Sequence, residues 1–103
     1  ADAYGRITGK LGVALVTAGP AAINIMNGVV GGWVDSAPMM VISGQSALSF
    51  VQYQQKTKIR QYGIQGIKIR QLVEKITKYF SFIVFLKFNC TIHYLILPSL
   101  TVS

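Results

Sequence analysis

The dipeptide Gly19-Pro20 is where backbone in this sequence is best placed to meet a ligand. It follows the apolar, β-branched run from Gly12 to Ala18 and precedes a helical stretch, so it reads as a strand-to-helix turn. In open α/β sheets, ligands gather at that carboxyl edge of the strands. A helix N-terminus adds unpaired N–H groups and a partial positive charge. Charged chemistry is scarce. The three acids, Asp2, Asp35 and Glu74, are too dispersed to form the oxygen cage that a hard cation requires, and no Gly-Asp-Gly occurs. Cys90 and His93 are the single cysteine and single histidine. Two ligands do not make a zinc site, and a lone cysteine permits no intrachain disulfide. The sequence therefore assigns no metal ligands and no catalytic residue.

The elements that must hold the turn follow from pattern. Residues 1–9 read as the end of a helix stopped at Gly9. Gly12 to Ala18 suits a buried parallel strand, and Pro20 fits the first turn of a helix running to Asp35. That helix is apolar all round, with Ile23, Ile25, Met26, Val29, Val30, Trp33 and Val34, which predicts burial on more than one side. Gly28, Gly31 and Gly32 lower its stability by roughly 1 kcal/mol each relative to Ala and become sensible where another backbone approaches closely. Met39 to Ser43 is a second strand, completing one βαβ unit whose crossover should be right-handed. Residues 46–64 read as a loop with a short embedded helix, 67–76 as a helix, and 79–86 as a third strand.

Four blocks, in order, carry a resemblance. Ala1 to Lys10 matches A-D-A-Y-x-R-x-T-G-K, and Val13 to Asn24 follows a strand and G-P-G-x-T-N turn. Asp35 to Gln45 matches D-S-x-P-x-x-x-I-S-G-Q. Arg60 to Ile69 and Glu74 to Tyr79 follow R-Q-x-G-x-Q-E-x-D-I-V and K-x-I-T-K-Y. Together they resemble the pyrimidine-binding (Pyr) domain of thiamine-diphosphate enzymes, most closely the acetolactate synthase-like group. The resemblance implies an α/β fold, a fragment of a parallel-sheet, three-layer domain over residues 1–80. It implies cofactor contacts at Gly19, Pro20 and Asn24, with Gln45 and Gln65 bordering the substrate cleft. The cofactor would be thiamine diphosphate. Its Mg²⁺ would be held by another domain with a G-D-G motif, and some relatives also use FAD. The substrate would be a 2-oxo acid such as pyruvate, and the parent enzyme a homodimer or homotetramer. The glutamate that activates the pyrimidine would lie upstream of Ala1, so the fragment is expected to be inactive alone. Departures stand at Ala21, Ile23, Gly66 and Lys68, where the pattern has Gly, Thr, Glu and Asp.

Composition sets the outer limits. A chain of 103 residues makes one small domain. Its hydrophobic share of 51% and mean hydropathy of +0.46 are high for a free-standing soluble domain, as expected when natural neighbours cover apolar faces. The net charge is +7, and Lys56, Lys58, Arg60, Lys68, Arg70, Lys75 and Lys78 face only Glu74 between them. With no nucleic-acid motif beside it, this run reads as a solvated enzyme surface, which argues against a nucleic-acid partner. Residues 81–103 do not match the family and read as a non-native end such as a frameshift or mispredicted boundary. A membrane anchor there is disfavoured because Lys87, Asn89 and His93 interrupt the apolar stretch. No signal peptide is evident, and a cytoplasmic location follows from the lone cysteine. The alternative function is a non-catalytic module that docks a partner through exposed apolar faces.

Overall fold

In the computed structural model the backbone is described for residues 1–85 and 90–97, with side-chain burial for residues 1–83. Helix α1 (Asp2–Thr8) stops at Gly9, whose φ of 66° is left-handed and whose N–H donates to Gly5 O at 2.9 Å. Strand β1 (Gly12–Val16) follows, then α2 (Pro20–Asn24), α3 (Met26–Val34) and β2 (Met39–Gly44). Next come α4 (Leu48–Thr57), α5 (Ile69–Val73), β3 (Tyr79–Phe85) and β4 (Cys90–Leu97).

The βαβ unit expected from the sequence is present, and the fold is α/β. β1 and β2 pair in parallel, with Gly12 opposite Met39 and Val16 opposite Ser43. The pleat divides their residues by face. Met39 and Val41 are buried and Ala14 and Val16 pack beside them, whereas Val13 and Leu15 are 54% and 78% exposed. The core lies on the first face, where Ala22 and Val29 from the crossover helices meet Ile69 and Val73 from α5. Helix α1 lies against α3, its Arg6 pairing with Asp2 and Asp35 and donating to Gly31 O at 3.1 Å. Among the described residues, no helix is long and apolar enough to cross a membrane.

Four expectations change in detail. The helix read over residues 20–35 is two helices, because Ile25, at φ −86° and ψ −4°, interrupts the regular ladder between Asn24 and Met26. It is buried on one side only: Val29 is 1% exposed, while Val30, Trp33 and Val34 remain in the open. Gly28 accordingly has nothing near the position a Cβ would take, and Gly31 has only the Arg6 guanidinium. The helix read over 67–76 is the five-residue α5, with Ile67 and Ile76 packing on the core from its flanks. Of the apolar residues at helical spacing, Ile67, Ile69, Val73 and Ile76 face the core, whereas Leu72 is 52% exposed.

The fourth change concerns the sheet. Its order is β1-β2-β4-β3, and β4 runs antiparallel to both β2 and β3. A connection as short as residues 86–89 allows a hairpin but not the long crossover that parallel strands need. Part of the stretch read as unlike the family thus joins the sheet, and Cys90 and His93 fall within β4. Residues 86–89 and 98–103 lie outside the described residues.

Candidate functional site at the carboxyl edge of the parallel strands

Gly19 is the pivot of the edge. Its φ of 69° and ψ of −121° turn the chain from β1 into α2, with Pro20 at the helix start, where a missing N–H leaves no bond unmade. Few side chains tolerate that backbone conformation. A second constraint acts on the same atom: a Cβ on Gly19 would lie 2.9 Å from Gln65 Cα and 3.0 Å from Ile64 O. The loop carrying Gln65 therefore closes directly onto the turn. β2 arrives alongside, since a Cβ on Gly44 would sit 3.2 Å from Ala18 N. Ser43, fully buried, donates its hydroxyl to Gly44 O at 3.0 Å and has Thr17 O at 3.5 Å. The ends of β1 and β2 are thereby tied together.

The five residues singled out by sequence are not equally placed. Gly19 and the backbone of Gln65 are in contact, and Pro20 follows Gly19 at the start of α2. Asn24 sits exposed at the end of α2, one helical turn from Pro20, and the Gln65 side chain is likewise exposed. Gln45 is half-buried just past β2, its Oε1 accepting the Ser46 N–H at 3.0 Å. It opens into a separate cleft of about 500 Å³ between α4, α5 and β3. Gly19, Pro20, Asn24 and Gln65 do not line that cleft.

A residue that sequence reasoning missed holds the loop in place. Gln54, 7% exposed on α4, donates to Arg60 O at 3.3 Å and Gly66 O at 3.2 Å and accepts the Tyr62 N–H at 3.3 Å. One amide thus satisfies three backbone groups of the 60–66 loop. Gly66 completes the fit: a Cβ there would press on Tyr62 O at 2.5 Å and Gln54 Oε1 at 2.9 Å. The sequence signal was the glycine standing where the family pattern has Glu, which the packing around Gln54 explains. Among the described residues, no group of three His, Cys, Asp or Glu could hold a metal ion.

The parallel strand pair and its glycine turn form an open α/β edge of the kind at which ligands gather. The chain belongs to the family described as the thiamine pyrophosphate enzyme N-terminal TPP binding domain, which matches residues 1–72. Its relatives include acetolactate synthase large subunits. That of Buchnera aphidicola subsp. Schizaphis graminum is 55% identical over 53 residues, 52% of this chain and 9% of its own length. The isozyme 3 large subunit of Escherichia coli is 47% identical over 53 residues, again 52% and 9% of the two chains. That of Porphyra purpurea is 45% identical over 51 residues, 50% and 9%. The chain thus spans roughly a tenth of the length of the curated relatives it matches, 9% of each of these three. No solved structure matches it.

Proposed function

We propose that these residues form the pyrimidine side of a thiamine diphosphate site in an acetolactate synthase-like enzyme. The parent would cleave a 2-oxo acid such as pyruvate and join the acyl unit to a second carbonyl. The observation that carries this reading is the closure of the Ile64–Gln65 backbone onto Gly19, within the segment that matches the family. The residues present fit an uncharged heterocycle. Asn24 is an amide that holds a ring by hydrogen bonds without changing its charge, and the turn at Gly19 presents backbone unobstructed by a side chain. They do not fit a metal-bridged diphosphate, because the described acids form no cluster. Mg²⁺, and FAD where it is used, belong on this reading to other parts of the parent, a cytoplasmic homodimer or homotetramer.

When bound, thiamine diphosphate supplies the carbanion that does the chemistry. This chain's share is orientation: Asn24 directs the ring's polar edge, and Gln45 and Gln65 border the substrate. No catalytic residue is assigned within it. The 103 residues by themselves should therefore be inactive, since general acid–base assistance of the kind an activating glutamate gives is worth about 10²–10⁴-fold. Titration with thiamine diphosphate and Mg²⁺, followed by heteronuclear NMR, tests the reading. Weak binding that shifts the amides of Gly19, Asn24 and Gln65, without turnover of pyruvate, is expected. Shifts confined to other surfaces would refute the placement, and turnover above the cofactor's own background would refute inactivity.

A second reading, a non-catalytic docking module, draws support from the open apolar positions Leu15 and Val34, 78% and 72% exposed. Analytical ultracentrifugation decides it: a monodisperse monomer with low dye binding excludes a sticky docking surface.

A further inference from the structure

The cleft between α4, α5 and β3 has a chemistry of its own. Its volume of about 500 Å³ lies within the roughly 300–1,000 Å³ of small-molecule sites. Val51, Ile69 and Phe80 give it apolar walls, glutamine amides supply neutral polarity, and the charged groups that line it are Lys68 and Arg70. Among the described residues, no carboxylate lines it. The chain's three acids are engaged elsewhere or outside it, Asp2 and Asp35 with Arg6 and Glu74 with Arg70 Nε at 3.6 Å. None of them comes within ion-pair distance of Lys68. The guanidinium carbon of Arg70 stands 5.9 Å from the centre of the Phe80 ring, so a cation and an aromatic wall adjoin at one end.

An uncompensated ammonium beside apolar walls selects a ligand with one anionic end and one apolar body. A bare inorganic anion would leave the walls wet, and a neutral hydrocarbon would leave Lys68 without a counter-charge. We propose that this cleft binds an amphipathic organic carboxylate. Its anionic end meets Lys68 and Arg70, and its ring or chain lies against Val51 and Phe80. The proposal shares Gln45 with the thiamine diphosphate reading, but Gly19, Pro20, Asn24 and Gln65 do not line this cleft.

The test is an NMR titration of the 103-residue chain with naphthoate, naphthalenemethanol and inorganic phosphate in parallel. Naphthoate should shift the amides of Val51, Lys68 and Arg70, bind more tightly than the alcohol, and weaken as salt is added. Lys68→Glu reverses an exposed charge, so the fold should survive; it should weaken naphthoate by about tenfold. Val51→Trp, which fills the cleft, should abolish binding, with retained amide dispersion as the control for folding. Equal affinity for the alcohol, indifference to Lys68→Glu, or the same shifts from phosphate alone would overturn the proposal. Thiamine diphosphate shifts at Asn24 that survive Val51→Trp, with no response to naphthoate, would sink this inference and leave the proposed function standing. Naphthoate binding together with no response of Asn24 to thiamine diphosphate would do the reverse.

Discussion

Replacing Gly19 by alanine should destabilise the chain far more than the same change at Gly63, and the structure says by how much. Both glycines have φ of 69°. A non-glycine residue in a left-handed conformation costs roughly 1–2 kcal/mol. Gly63 incurs only that, because nothing lies within 4 Å of its Cβ position. Gly19 adds two further terms. Its ψ of −121° lies outside the left-handed helical well that other residues can use. A Cβ there would also meet Gln65 Cα at 2.9 Å and Ile64 O at 3.0 Å, both backbone atoms that cannot rotate aside. Together these give about 3 kcal/mol against about 1 kcal/mol at Gly63. The difference of about 2 kcal/mol is close to thirtyfold in the unfolding equilibrium. Urea denaturation followed by the fluorescence of Trp33, the single tryptophan, measures both variants under one set of conditions. Equal midpoints with equal slopes would refute the packing of the Ile64–Gln65 loop onto the turn, and with it the geometric basis of the site.

Other perturbations probe other links. Gln54→Leu keeps the side chain's bulk but strands three backbone groups, so it should cost about 2–3 kcal/mol. Hydrogen exchange at Tyr62 should rise, and unchanged exchange there would show that Gln54 does not hold the loop. Val41→Ala in β2, at 1% exposure, should cost about 2 kcal/mol by calorimetry, whereas Val13→Ala in β1, at 54%, should cost well under 1 kcal/mol. Similar losses at the two positions would refute the assignment of the sheet's covered face.

Much of the edge was legible because local rules and tertiary demand agree there. A β-branched run ending in Gly-Pro specifies strand, turn and helix start together, and both strands of the parallel pair fell where the sequence put them. Gly9 as the stop of α1 was readable for the same reason. What escaped depended on distant partners. The Gln54 amide looks like any other in a glutamine-rich helix until the 60–66 loop folds over it. The one-residue interruption at Ile25 carries no Gly or Pro to announce it. The exposed faces of Val30, Trp33 and Val34 show the limit of reading burial from apolarity. An all-apolar helix says that several neighbours are wanted, not which of them this chain supplies. Gln45 illustrates a different gap, since sequence placed it beside the other edge residues while packing opened it to a separate cleft.

The antiparallel attachment of β4 has a topological consequence. From Met39 to Ser43, β2 is flanked on one side by β1 and on the other by β4, so it has no vacant hydrogen-bonding edge there. Any other strand seeking a place beside β2 must peel the hairpin away first, a strand-exchange process with its own kinetic barrier. Addition at β1 or β3, the outer strands of the order β1-β2-β4-β3, requires no such displacement. The hairpin therefore acts as an occupant of the sheet's middle, confining growth of the sheet to its two margins.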